Sequence, residues 1–178
     1  IQNLTTEIQE LYCLDAIPWC IGYSGGKDSS CVLQLIWNAI AALPPSKRIK
    51  PIHVMTTDTL VENPVVSAWV RKSLEQMKVA AIEQGMPIEP HLLYPAVKDT
   101  FWVCLIGKGY PSPRNRLRWC TERLKIKPAD RFIREVIQAN GEVILVLGTR
   151  KAESVKRSAT MAKHREWRIR DRVNTNPN

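Results

Sequence analysis

No stretch of this chain approaches the roughly 20 consecutive apolar residues that a bilayer-spanning helix requires, so no membrane association is expected. Cysteines are few and odd in number (Cys13, Cys20, Cys31, Cys104 and Cys120), and none forms a C-x-x-C pair. That pattern excludes a disulfide framework and points to a reducing, cytoplasmic setting. Cys13, Cys20, Cys31 and Cys104 lie in apolar surroundings and read as core fillers. The three histidines, His53, His91 and His164, stand singly, which argues against a His-based metal site or triad. There is no initiator Met, and the start "IQNLTTEIQELYCLD" lacks the basic-then-apolar layout of a signal peptide. It reads instead as an amphipathic helix. With a polar end, "RVNTNPN", the expectation is one domain over residues 1–178, cut from a longer protein at its C-terminal side.

What is present is a composition able to build a core: 44% hydrophobic and 24% charged residues over 178 positions predict one soluble globular domain. The formal charge of +9 is unevenly placed. Over residues 114–131, Arg114, Arg116, Arg118, Arg123, Lys125, Lys127 and Arg131 face only Glu122 and Asp130. Over residues 150–172, Arg150, Lys151, Lys156, Arg157, Lys163, Arg165, Arg168, Arg170 and Arg172 face Glu153, Glu166 and Asp171. These two segments hold more than the whole excess, as a polyanion-binding face would require. A solvated helix face with a tail is the plainer alternative for the second.

Short strand-like runs alternate with longer helical ones. Strands are predicted at 17–23, 51–57, 87–94 and 142–148, and helices at 29–43, 64–84 and 127–141. Asn63 and Pro64 open the second of these helices and Gly85 closes it. A short helix over "DTFWVCLIGKG" and a basic loop "YPSPRNRLRW" fill the interval between. The alternation predicts an α/β fold: a doubly wound, mostly parallel sheet with helices on both faces, an N-terminal helix and a basic C-terminal segment. Ligands in such folds bind at the carboxyl ends of the strands, here "YSGGKDS", "TTDT" and "GTRKAES".

The first of these edges carries the sharpest signal. The Walker pattern fails, because its first glycine would fall at Ile21 and its Ser/Thr at Asp28. What remains is Ser24-Gly25-Gly26-Lys27-Asp28-Ser29 between a strand and a helix. Paired glycines permit a sharp turn and close approach of the backbone to a ligand. The N–H groups and dipole of the following helix favour phosphate. Lys27 adds charge, Ser24 and Ser29 add hydroxyls, and Asp28 is suited to Mg²⁺ or to capping the helix.

"SGGKDS" resembles the PP-loop of the ATP pyrophosphatases, which hold the pyrophosphate end of ATP and cleave between the α- and β-phosphates. "TTDTLVENP", "RWCTERLKIKP" and "GTRKAESVKR" are similar to segments of the phosphoadenylylsulfate-reductase-like branch. Together the four segments look most like the DndC-type sulfurtransferases of bacterial DNA phosphorothioation. That resemblance implies adenylylation of the DNA backbone followed by sulfur insertion, with ATP and Mg²⁺ as cofactors. It also implies DNA, a cysteine desulfurase as sulfur donor, and other phosphorothioation proteins as partners. The nucleotide site it implies comprises Ser24, Gly25, Gly26, Lys27, Asp28, Ser29, Asp58, Thr59, Gly148 and Arg150, with Lys27, Asp28 and Arg150 catalytic. A turn cap is the plainer role for Asp58. Phosphates of DNA would meet Arg116, Arg118, Lys151, Arg157, Lys163, Arg165, Arg168 and Arg170. Cys120 matches a [4Fe–4S] ligand of iron–sulfur relatives, its companions falling outside this chain. Two other readings stay open: a reductase of adenylylated sulfate, although "DTLVENP" departs from that group's usual Asp-Thr-Gly, and a non-enzymatic nucleotide-dependent DNA-binding module.

Overall fold

The computed structural model describes residues 2–114 and 117–150. Four strands, β1 (Trp19–Gly22), β2 (Ile52–Thr57), β3 (Ile88–Leu93) and β4 (Ile144–Leu147), form one parallel sheet in the order β3-β2-β1-β4. Around it lie α1 (Gln2–Leu14), α2 (Lys27–Ala41) and α3 (Pro64–Glu83). A short helix α4 (Trp119–Thr121) runs through a π-type segment (Glu122–Ile126) into α5 (Lys127–Asn140). The expected doubly wound α/β architecture is what is found. Among the described residues, no helix is long and apolar enough to cross a membrane.

Side chains on a strand alternate between faces, and here each face has its own core. Trp19, Ile21, Ile52, Val54 and Ile88 pack with Leu33, Ile36 and Ile40 of α2 and Val70 and Leu74 of α3. Cys20 and Met55 point the other way, to Val136, Phe132 and Ile133 of α5. The first face also receives α1 through Tyr12, whose hydroxyl donates to the Lys50 carbonyl at 2.8 Å. The Lys50 ammonium is buried 2.7 Å from Asp15 and about 5 Å from the Tyr12 and Trp19 rings. A buried ammonium requires such a partner, since unpaired it would be strongly destabilising.

Four expectations change. The second helix begins at Lys27, two residues early, because Gly26 is extended (φ −80°, ψ 163°) and takes the N-cap position itself. The last strand begins at Ile144, whose N–H donates to Pro18 O at 2.9 Å; β1 offers residues 142 and 143 no ladder to join. Cys13 and Cys31 sit exposed on the outer faces of their helices, whereas Cys20 and Cys104 are buried as expected. His53 and His91, solitary in the sequence, meet on adjacent strands with ring nitrogens 3.1 Å apart.

The chain steps outward from β1 to β2 to β3, then returns to the opposite side of β1 to place β4. A doubly wound sheet opens a crevice at such a reversal, between the carboxyl ends of the two diverging strands. Gly22 and Leu147 end those strands as register partners.

Candidate functional site

The turn after β1 is built from glycine conformation and serine hydroxyls. Gly25 has φ +72°, and a Cβ there would come within 2.5 Å of the Trp69 ring. Both the conformation and the contact require glycine. Ser29, buried in the first turn of α2, donates to Gly26 O at 3.0 Å and accepts from the Ser24 N–H at 3.2 Å. Its hydroxyl therefore braces the loop, with the Ser24 hydroxyl 3.1 Å away. No side chain caps α2. The N–H groups of Lys27, Asp28 and Ser29 thus lie at a positive helix end without intrahelical acceptors, the arrangement that receives an anion. Lys27 is exposed, and no carboxylate pairs with it among the described residues.

Asp28 does not cap the helix. Its carboxylate receives Arg150, with Nε 3.0 Å from both Oδ1 and Oδ2. Arg150 reaches it from beyond β4, so the two strands flanking the reversal are joined across the crevice. Gly148 makes this approach feasible: a Cβ there would stand 2.9 Å from the Asp28 carbonyl oxygen. The pair is half-exposed on the arginine side. Solvent-accessible pairs of this kind contribute little to stability, about 0–1 kcal/mol, and exchange readily for a better ligand.

Beside this rim the strand ends enclose a cavity of about 340 Å³, with Ser24, Ser29, Thr57, Asp58, Arg71 and Gly148 on its polar wall. Met55, Val70 and Leu92 supply an apolar wall. Asp58 is buried at the end of β2 and accepts from the Leu60 N–H at 2.9 Å and from Arg71 Nη2 at 2.8 Å. Burial alone would push this carboxyl up, but Arg71 and the Leu60 amide together hold it below its ordinary range. The turn-cap role is thus the one its geometry displays. Leu60 itself is left-handed (φ +64°). Thr59, expected at the nucleotide, is buried at 3% exposure and takes no part in the cavity wall, which Thr56 and Thr57 provide. Lys125 and Glu62, 3.2 Å apart, also border the cavity.

No family model matches the chain. It is 28% identical over 160 residues to Uncharacterized protein MJ0066 of Methanocaldococcus jannaschii, a match covering 90% of this chain and 28% of that protein. The chain thus spans little more than a quarter of the length of this archaeal relative.

Ser24, Ser29, Asp58 and Gly148 are brought together at the cavity, with Gly25, Gly26, Lys27, Asp28 and Arg150 on the adjoining rim. Arg118 is exposed just before α4, and Cys120 is half-buried within it. Arg116, Lys151, Arg157, Lys163, Arg165, Arg168 and Arg170 lie outside the described residues. Sequence reasoning missed Arg71, Ser67 and Glu62. Ser67 and Arg71 are four apart on the helix that follows a strand end already singled out, so helical spacing carried the signal.

Proposed function

We propose that this chain is the nucleotide-cleaving part of an ATP-dependent sulfurtransferase that acts on the DNA backbone. A non-bridging oxygen of DNA attacks the α-phosphorus of ATP, the bond to the β-phosphate breaks, and pyrophosphate leaves. The terminal sulfur of a persulfide on the donor then attacks the DNA phosphorus, and AMP departs with the original oxygen. A second thiol cleaves the S–S bond, leaving the phosphorothioate on DNA and a disulfide on the donor. The observation that carries the reading is the uncapped, glycine-turned start of α2, joined by Asp28 and Arg150 to the end of β4. The free amides and Lys27 suit the departing pyrophosphate. Arg150 is placed to exchange Asp28 for the α-phosphate, which is electrostatic assistance of the kind phosphoryl-group chemistry needs. The Asp28 carboxylate, released, is an oxygen donor fit for Mg²⁺. A cavity of about 340 Å³ falls within the usual range of small-ligand sites. A [4Fe–4S] cluster takes four thiolates, so Cys120, half-buried within α4, would supply one ligand and the other three would come from outside this chain.

The test is product analysis with the full chain and α-labelled ATP, with and without DNA. AMP and pyrophosphate should form, and more of both with DNA. Lys27→Ala and Asp28→Ala should each reduce the rate at least about 100-fold. ADP as the product would overturn the reading. ATP binding without cleavage would favour the DNA-binding module, and reduction of an adenylylated sulfate without pyrophosphate release would favour the reductase.

A further inference from the structure

Away from the nucleotide edge, toward the amino ends of β2 and β3, His53, Glu89 and His91 share one face of the sheet. His53 and Glu89 are cross-strand register partners, and His91 follows Glu89 by two residues, hence on the same side. His53 Nδ1 lies 3.1 Å from His91 Nε2 and 3.3 Å from Glu89 Oε2, and the remaining separation, His91 to Glu89, is 3.8 Å. A triangle with those sides has every corner about 2.0 Å from a common point, which matches zinc–nitrogen and zinc–carboxylate bond lengths of about 2.0–2.2 Å. Phe132 of α5 packs on both rings, with centroids 5.8 Å from His53 and 4.5 Å from His91. Both imidazoles are therefore held in orientation before any ligand arrives.

We propose that His53, Glu89 and His91 bind one borderline divalent metal ion, zinc foremost, through two imidazoles and one carboxylate. A plain hydrogen bond between the histidines accounts for the cluster less well. A single N–H on His53 Nδ1 can be aimed at His91 or at Glu89, which leaves one lone-pair contact uncompensated. A cation among the three atoms removes that repulsion. Two imidazoles with a carboxylate suit zinc and its first-row neighbours rather than Mg²⁺ or Ca²⁺, which take oxygen ligands. Glu89 is 62% exposed, so the fourth position faces solvent. The ion would tie the edge strand β3 to β2, and this assignment is independent of the proposed chemistry at the other edge.

Calorimetric titration of the metal-free full chain with Zn²⁺ should give one equivalent bound. Glu89→Gln and His91→Gln should each weaken it at least about 10-fold, as the loss of groups supporting a metal does. The free thiols are competing ligands, so Co²⁺ is the discriminating probe. Its spectrum should lack thiolate charge-transfer bands in the parent and fade in both variants. Glu89, being exposed, keeps the test valid if the His91 variant fails to fold. Absence of binding, thiolate bands in the Co²⁺ spectrum, or undiminished affinity in Glu89→Gln would overturn the assignment.

Discussion

Leu60 is the residue whose backbone conforms least to its side chain. Its φ of +64° lies in the left-handed region, which costs an L-residue roughly 1–2 kcal/mol. The bond from its N–H to Asp58 Oδ1 holds it there. The backbone there keeps a shape that glycine would adopt freely. The side chain is half-exposed and adds little to the core. Leu60→Gly should therefore stabilise the protein, by about 0.5–1 kcal/mol once the greater freedom of glycine in the unfolded chain is offset. Urea denaturation measures this directly. Unchanged or lower stability would mean that the left-handed turn carries no strain.

At the scale of elements, the end of β2 is bound to α3 through Asp58 and Arg71. A carboxyl held low in the folded state contributes stability that is present above its unfolded pKa of about 3.9 and lost as pH falls through the folded value. Asp99, buried against Arg123 at 2.7 Å, behaves likewise: burial opposes ionisation, and Arg123 with the nearby lysines more than offsets it. The melting temperature should thus fall below about pH 4. In Arg71→Leu, burial of Asp58 is no longer offset by the guanidinium, so the variant should be less stable at pH 7 yet lose less between pH 7 and pH 3. A pH series of thermal melts reads both, and parallel curves for parent and variant would dismiss the pair. This linkage marks where the sequence stopped being legible. The strands, the Asn63–Pro64 helix start (Asn63 Oδ1 accepts from Val65 N at 2.9 Å) and the paired glycines are local signals, and they were read locally. Arg71 on Asp58, Arg150 on Asp28 and His53 on His91 depend on register and packing between segments far apart in the chain. No periodicity encodes those meetings. Local propensity likewise could not show that Ser29 braces the loop or that Gly26, not Asp28, starts the helix.

At the scale of the whole molecule, the question is where the formal +9 is available to a partner. Part of it is committed internally: Arg123 to Asp99, Arg71 to Asp58 and Lys50 to Asp15. Elsewhere in the described residues, Lys98, Lys127, Arg131 and Arg134 surround a hollow with only Asp99 and Asp130 among them, and Arg118 is exposed. The largest remaining block is Lys163, Arg165, Arg168 and Arg170, close in sequence to Arg150. If these residues hold phosphates of a DNA backbone, binding must release counterions. The logarithm of affinity should then fall linearly with the logarithm of salt, with a slope of about −0.9 per phosphate engaged on duplex DNA. Changing Arg165, Arg168 and Arg170 together to Ala should flatten that slope by about 3 and weaken binding alike across sequences, because backbone contacts carry no base information. Fluorescence anisotropy over a salt series measures both quantities. A triple variant with the parent's slope would move the contact to the Lys127–Arg134 face of α5. Salt-independent affinity would remove DNA as the acceptor and leave pyrophosphate release to serve some smaller phosphate or sulfate.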